Sequence, residues 1–140
     1  INLGGVANGV FVFVAEMQAR GSGHIVLTSS QAGLVTTVAG VGAYSVAKFG
    51  VTAMGEQLRR ELTPHGVGVS VLCPGFVQTN LSQYSSRMPP VTIGPDDVGE
   101  MVANAIERDA AFIVTHKQVL PGIEERFDAI REACEYRLAH

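Results

Sequence analysis

The sequence of 140 residues has no tryptophan, only two cysteines and no dense basic cluster. Charged residues make up 16% of the chain and the formal net charge is −3, which argues against a nucleic-acid-binding surface, because such surfaces need clustered lysine and arginine. Cys73 and Cys134 follow no disulfide or metal spacing. This pattern predicts free thiols in a reducing compartment and therefore a cytoplasmic location.

Long apolar runs are also missing. The run GVFVFVAEM is interrupted by Glu16 and is shorter than a membrane span, and no basic segment precedes it as in a signal peptide. We therefore expect no membrane association. The chain opens on Ile1 in a segment that is already periodic, so we expect that it begins inside a longer protein.

What the chain does contain is typical of an α/β interior, with 46% hydrophobic residues and 16 glycines, and one domain of this length can bury a core. Helices are predicted over residues 6–20, 43–63, 95–108 and 121–140, and short buried strands over 24–30, 67–73 and 110–115. Loops are expected at 31–42 and 78–94. The alternation of strand and helix predicts a layered α/β fold with parallel strands.

The segment GAYSVAKFG places Tyr44 and Lys48 four residues apart, on the same face of a predicted helix. A free phenol has a pKa of about 10 and is a poor base at neutral pH. A nearby ammonium favours the phenolate and suits the pair to acid/base chemistry. A surface lysine beside a locally packed tyrosine is the alternative for so short a pattern.

Polar groups and a special turn follow the predicted strands. Ser29 and Ser30 end the first strand, and Pro74-Gly75 ends the second, with Thr79 a few residues further on. Active groups of open α/β sheets gather at the carboxyl ends of the strands. Serines can also simply terminate a strand, but several such features at one edge favour a site.

Four segments, in order, resemble the short-chain dehydrogenase/reductase family: INLGGVANG at 1–9, GSGHIVLTSSQAG at 21–33, YSVAKFGV at 44–51 and VSVLCPGFVQT at 69–79. The resemblance covers roughly residues 1–115 and concerns the carboxyl-terminal part of that family. It implies a Rossmann-like, doubly wound parallel sheet, of which this chain holds only the carboxyl-terminal half. The family's glycine-rich dinucleotide turn does not occur here, so the amino-terminal βαβ units are expected to lie outside the chain.

The resemblance also implies roles for single residues. Tyr44 would be the acid/base that exchanges a proton with the substrate oxygen, and Lys48 would favour its phenolate and bind the nicotinamide ribose. Ser30 would polarise the carbonyl, although a loop one residue longer than expected leaves Ser29 as an alternative. Asn2 would hold a water in the proton relay.

The implied cofactor is NAD or NADP, and the sequence does not choose between them. Besides Tyr44 and Lys48, the residues at the nicotinamide would be Pro74, Gly75, Val77 and Thr79. Substrate-side contacts are expected from Gln31, Leu81 and Tyr84. Such enzymes pass a hydride between cofactor and substrate while the protein handles the proton.

Other candidate residues are interpreted as structural. His24, His65, His116 and His140 have no ligand spacing and are expected at the surface or at loop edges, without a metal site. Cys73 is interpreted as a small core residue.

Three functions are weighed. The first is an NAD(P)-dependent oxidoreductase acting on a small alcohol or ketone, with protomers associating as dimers or tetramers through the helices at 6–20 and 43–63. The second is a truncated, non-catalytic remnant that acts as an oligomerisation or interaction module. The third is a ketoreductase for acyl-carrier substrates, which needs a basic patch of which only Arg59, Arg60 and Arg87 give a hint. No role is assigned to residues 116–140.

Overall fold

The computed structural model describes residues 1–36, 39–79 and 92–136. The helices are α1 (Gly4–Arg20), α2 (Gly42–Leu62), α3 (Pro95–Glu107) and α4 (Leu120–Tyr136). The strands are β1 (Gly23–Thr28), β2 (Val67–Cys73) and β3 (Phe112–Val114). Short 3₁₀ helices cover Gln31–Gly33, Thr63–His65 and Lys117–Val119. Within these ranges no helix is both long and apolar enough to cross a membrane.

The three strands form one parallel sheet in the order β1-β2-β3, as predicted from the alternation of strand and helix. The register runs from Gly23 opposite Val67 to Thr28 opposite Leu72, so both strands end at the same edge. β3 joins this edge, with Val114 opposite Cys73. The carboxyl ends of all three strands therefore lie side by side.

Both faces of the sheet are covered by helices, as expected for parallel strands. On one face, Leu27 and Val69 pack with Val51 and Leu58 of α2, and α1 adds partly buried side chains. On the other face, Leu72 and Ile113 pack against α3. Side chains alternate between these faces along each strand, which produces a three-layered α/β/α arrangement.

The strand predicted over 24–30 is present, but its end and its burial differ from the prediction of a buried strand. β1 ends at Thr28, and of its residues only Leu27 is fully buried. The reason is its place in the sheet: β1 pairs with β2 on one side and, among the described residues, with no strand on the other. The predicted loop at 31–42 begins with a 3₁₀ turn and ends where α2 starts at Gly42.

Two glycines end the helices that precede β1 and β2. Gly21 and Gly66 adopt left-handed φ angles of 71° and 73°, a conformation that glycine reaches without a Cβ penalty. The two turns also touch, because a Cβ on Gly66 would lie 2.5 Å from the carbonyl oxygen of Gly21. The close approach fixes the start of both strands.

Candidate active site

Tyr44 and Lys48 lie next to each other on α2, as the sequence spacing predicts. Lys48 Nζ lies 5.6 Å from the centroid of the Tyr44 ring. The lysine side chain is buried, with 8% exposure, whereas Tyr44 is 39% exposed. Nζ donates a hydrogen bond of 3.1 Å to the carbonyl oxygen of Thr28 at the end of β1. The pair therefore stands at the carboxyl edge of the sheet, with the phenol accessible and the ammonium behind it.

The buried ammonium of Lys48 has no ion-pair partner in the described part of the chain. Buried charges in proteins are usually paired or hydrogen-bonded. An ammonium carries three N–H donors, and the bond to Thr28 uses one of them. The remaining donors suit a ligand rich in hydroxyl oxygens or a phenolate.

Ser29 has a structural position beneath this pair. Its hydroxyl is 2% exposed and lies 2.8 Å from both the carbonyl oxygen of Lys48 and the hydroxyl of Thr52. Gly33 packs against the same carbonyl, so closely that a Cβ there would lie 2.6 Å from it. The proton of Ser29 is consequently used inside the protein.

Ser30 faces differently from its neighbour. It is half-buried and caps the 3₁₀ turn that begins at Gln31, where its Oγ accepts the N–H of Ala32 at 3.2 Å. Because Oγ acts as an acceptor in this bond, the hydroxyl proton stays available for another oxygen. Of the two serines, Ser30 is therefore the one whose hydroxyl proton is not used in these bonds.

The Pro74-Gly75 turn is tied to the ends of the neighbouring strands. The carbonyl oxygen of Pro74 accepts the N–H of Gln31 at 3.0 Å, and the N–H of Gly75 is donated to Thr115 Oγ1 at 3.0 Å. Val77 forms a parallel bridge with Ile93. These bonds hold the backbone just beyond β2 at the same edge as Lys48.

The remaining predicted site residues are placed less centrally. Asn2 is exposed in the turn before α1, and the next residue, Leu3, packs on Gly50 of α2, where an added Cβ would lie 3.2 Å from its methyl carbons. Thr79 is exposed beyond Val77. Leu81 and Tyr84 lie outside the described residues.

His116 is a residue of this edge that the sequence interpretation missed. It lies in the loop after β3, as expected of a loop-edge histidine, but it is not at the surface, because its side chain is buried with 7% exposure. Its carbonyl oxygen accepts the side-chain N–H of Gln31 at 3.1 Å, and its Nδ1 lies 2.7 Å from Thr115 Oγ1. The available signal was its position two residues after β3, where parallel strands present site residues.

His24 also departs from the expected surface position. Its side chain is 12% exposed and its Nε2 lies 2.8 Å from the buried hydroxyl of Ser70. Burial lowers the pKa of His24, Asp109 opposes this shift, and Arg59 adds to it. His24 lies at the amino-terminal end of β1, away from the candidate site.

Arg59, one of the arginines that hint at a basic patch, forms a two-pronged hydrogen-bonded ion pair with Asp109. Its two terminal nitrogens donate to the carboxylate at 2.9 and 2.8 Å, and one of them also reaches the carbonyl oxygen of Val69. This guanidinium holds the pKa of Asp109 below its usual value. Arg59 is thus engaged within the fold, and Arg87 lies outside the described residues, so the basic patch needed for an acyl-carrier partner loses support.

The interpretation of Cys73 as a core residue is confirmed. The side chain has no exposure, and burial raises the pKa of its thiol to about 11. The thiol stays protonated at neutral pH, so Cys73 is not a nucleophile.

The chain resembles known proteins in sequence and in fold. A family model described as short chain dehydrogenase matches residues 1–90. The C alpha-dehydrogenase of a Sphingobium species is 32% identical over 93% of this chain and 50% of that protein. The oxidoreductase YbbO of Escherichia coli is 37% identical over 64% of this chain and 37% of that protein. The chain thus spans half or less of the length of these relatives.

Solved structures show the same architecture. The apo form of LigO from a Sphingobium species superimposes with a TM-score of 0.80 at 28% identity, over 99% of this chain and 51% of that one. A short-chain dehydrogenase from Burkholderia cenocepacia, solved in complex with NADP, gives a TM-score of 0.77 at 26% identity, over 99% and 58%. This chain covers only about half of each of these structures. In its described residues the sheet has three strands.

Proposed function

The chain belongs to the short chain dehydrogenase family, and on that premise we propose that it is the catalytic, substrate-side half of an NAD(P)-dependent oxidoreductase. The reaction is the interconversion of an alcohol and a ketone or aldehyde. One observation carries the proposal: the buried ammonium of Lys48, without a carboxylate partner among the described residues, lies 5.6 Å from the ring of the accessible Tyr44 at the carboxyl edge of the sheet.

Proton transfer is assigned to Tyr44. In the reducing direction its phenol gives a proton to the substrate oxygen, and in the oxidising direction its phenolate takes the proton back. Lys48 stabilises the phenolate through its positive charge. Ser30 donates its available hydroxyl proton to the same substrate oxygen, and Asn2 holds a water that resupplies the proton.

The chain's residues fit the nicotinamide end of the cofactor. The unused donors of the Lys48 ammonium suit ribose hydroxyls, and the notch at Gly75, where a Cβ would lie 2.7 Å from His116 Nδ1, shows how tightly that turn is packed. Pro74, Gly75 and Val77 border the nicotinamide in this proposal, and Thr79 binds its carboxamide. When bound, the cofactor supplies or accepts the hydride.

On the substrate side, Gln31 is the best-defined residue. Its Nε2 is engaged with the carbonyl oxygen of His116 at 3.1 Å, which leaves Oε1 as the atom for a substrate hydroxyl. Leu81 and Tyr84 are proposed to complete a moderately apolar pocket. A small alcohol or ketone is therefore favoured over a substrate carried on an acidic protein.

Deuterium transfer tests this function. The purified protein that carries this sequence is incubated with a panel of ketones and with NADH or NADPH deuterated at the transferring carbon of the nicotinamide. The proposal predicts an alcohol that carries one deuterium on the former carbonyl carbon. Consumption of the cofactor without deuterium in the product, or no consumption with any ketone of the panel, would contradict it.

A second candidate, an interaction module without catalysis, is favoured by one surface. On α1, the apolar side chains Phe11, Val12 and Phe13 are 82%, 66% and 55% exposed. Exposed apolar patches of this kind usually mark surfaces that contact another protein. The same surface would serve protomer association through α1 and α2 in an oxidoreductase. Sedimentation of the purified protein and of Phe11→Glu tests association, and deuterium transfer separates the two candidates.

A further inference from the structure

His116 presents a buried polar atom that nothing in the described part of the chain satisfies. Its side chain is 7% exposed, and Nε2 has no hydrogen-bond partner there. Buried polar atoms in native proteins nearly always have a partner, and an orphan usually marks a bound water, a ligand or a functional role. The atom belongs to a residue at the proposed active site, which makes it a candidate ligand contact.

The other ring nitrogen is already committed to the site's framework. Nδ1 lies 2.7 Å from Thr115 Oγ1, and the same oxygen accepts the N–H of Gly75 at 3.0 Å. A Cβ on Gly75 would lie 2.7 Å from Nδ1, so the ring fills the space that this glycine leaves. The ring thus packs directly on the turn proposed to border the nicotinamide.

The backbone of His116 completes the connection to the substrate side. Its carbonyl oxygen accepts the side-chain N–H of Gln31, and the backbone N–H of Gln31 is donated to Pro74. His116 therefore joins the ends of all three strands, since Gln31 follows β1, Pro74 follows β2 and His116 follows β3. His116 is thus in contact both with the Pro74-Gly75 turn and with Gln31, the residue proposed on the substrate side.

We propose, on the basis of the proposed function, that His116 is a further substrate-binding residue. Nε2 forms a hydrogen bond with a second oxygen of the substrate, because the reacting oxygen is held by Tyr44 and Ser30. Nδ1 anchors the Pro74-Gly75 turn through Thr115. The substrate class is accordingly a ketone or alcohol with an additional hydroxyl or ether oxygen.

The proposal assigns His116 the tautomer that is protonated on Nε2. A neutral imidazole has one N–H, and the hydroxyl of Thr115 can serve either as donor or as acceptor. When Thr115 donates to Nδ1, the proton sits on Nε2, which then donates to the substrate oxygen. Both hydroxyl and ether oxygens accept such a bond, so the preference extends to both groups.

Two variants of His116 separate the roles of the ring nitrogens. His116→Asn keeps a polar atom near the position of Nδ1 and removes Nε2, whereas His116→Phe keeps a ring and removes both. His65→Asn is the matched control, because His65 is an exposed histidine in the 3₁₀ turn Thr63–His65. Thermal unfolding of each variant checks that the fold is retained.

The probes are cyclohexanone and its monohydroxylated derivatives, with kcat/KM compared for each pair. We expect the best hydroxylated ketone to be preferred by the wild-type protein and by His65→Asn. In His116→Asn the ratio of its kcat/KM to that of cyclohexanone should fall about tenfold, which corresponds to about 1.4 kcal/mol. His116→Phe should lose this preference and also unfold at a lower temperature. An unchanged ratio in both His116 variants overturns the inference, even if turnover supports the oxidoreductase.

A measurement without turnover keeps the two proposals distinguishable. In protein with ¹⁵N-labelled histidine, the hydroxylated ketones should shift the Nε2 resonance of His116, and cyclohexanone should shift it less. If the resonance responds to none of the ketones, the inference fails. If it responds but no ketone is reduced, His116 is a binding residue and the oxidoreductase proposal fails instead.

Discussion

The hydroxyl of Ser29 donates a hydrogen bond of 2.8 Å to the backbone carbonyl oxygen of Lys48. The residue that follows β1 therefore holds the backbone of the lysine whose ammonium lies in the candidate site. The contact is fully buried and is shared with Thr52. The adjacent Ser30 does not take part in this contact and instead caps the following 3₁₀ turn. Two neighbouring serines thus have separate tasks, one structural and one proposed to act on substrate.

Replacing each serine by alanine should affect a different property, the stability of the protein for Ser29 and its turnover for Ser30. We expect Ser29→Ala to lower the free energy of unfolding by about 1–3 kcal/mol, because it removes two buried hydrogen bonds. Ser30→Ala should change stability less but lower turnover by a factor of about a hundred or more, as removal of an oxyanion donor does. Chemical denaturation and steady-state kinetics on both variants measure the two effects. If Ser29→Ala lost as much turnover as Ser30→Ala is expected to lose, without any loss of stability, Ser29 and not Ser30 would be the serine that acts on the substrate.

The fork between Arg59 and Asp109 predicts a measurable contribution to stability. Asp109→Asn removes the charge but keeps a residue type that tolerates the left-handed φ of 48° at this position. Because Asp109 is half exposed, we expect a modest loss of about 1 kcal/mol in the free energy of unfolding. Asp128→Asn, which breaks the exposed pair with Arg131, is the control and should cost less. Equal effects of the two variants in urea denaturation would contradict the structural role of Arg59.

His24 predicts a pH dependence of stability. Ser70 donates its proton to the carbonyl oxygen of Ala110 at 2.6 Å, so Nε2 of His24 donates to Ser70. Burial lowers the pKa of His24 in the folded protein, with Asp109 and Arg59 as the charged groups that face it. The unfolded chain therefore binds the proton first, and stability falls as the pH drops below the ordinary histidine pKa of about 6.5.

The Asp109 carboxyl acts in a lower window, because its pKa is lowered by Arg59: its contribution is present above an ordinary carboxyl pKa of about 4 and is lost below it. Unfolding curves between about pH 5 and pH 8 isolate the histidine effect. We expect His24→Asn to flatten the decline on the acidic side, and His65→Asn to leave it unchanged. A slope that persists in His24→Asn would assign it to another group.

The two cysteines should react at different rates. Cys134 is exposed on α4, whereas Cys73 is buried with a thiol pKa of about 11. A thiol reagent such as Ellman's reagent should label one thiol quickly in the native protein and both after denaturation. Cys134→Ser should abolish the fast phase. A fast phase that remains in this variant would mean that Cys73 is accessible.

Local patterns were sufficient to predict the sheet and the central pair. Tyr44 and Lys48 share a helix face because of their spacing, and the apolar run at 67–73 is the central strand β2. The end of β1 was predicted less well, because Ser29 and Ser30 have the same composition and differ only in which side of the extended chain they face. That difference is decided by Lys48 and Thr52, which lie on another element.

Contacts distant in sequence account for the remaining differences. The sequence gives no sign that Arg59 forms an ion pair, because its partner Asp109 lies 50 residues further along the chain. His116 is buried because Gly75 leaves space for its ring and Thr115 bonds its Nδ1. A histidine is amphipathic, so neither its type nor its immediate neighbours predict burial.

Replacement of Tyr44 by phenylalanine tests the account most directly. Tyr44→Phe keeps the ring beside Lys48 and removes only the hydroxyl, so the fold and the contacts to a nicotinamide cofactor should persist. In the purified protein that carries this sequence, we predict loss of ketone reduction while the affinity for NADH or NADPH, measured by the quenching of its fluorescence, changes little. Unchanged turnover in Tyr44→Phe would contradict the assignment of Tyr44 as the acid/base.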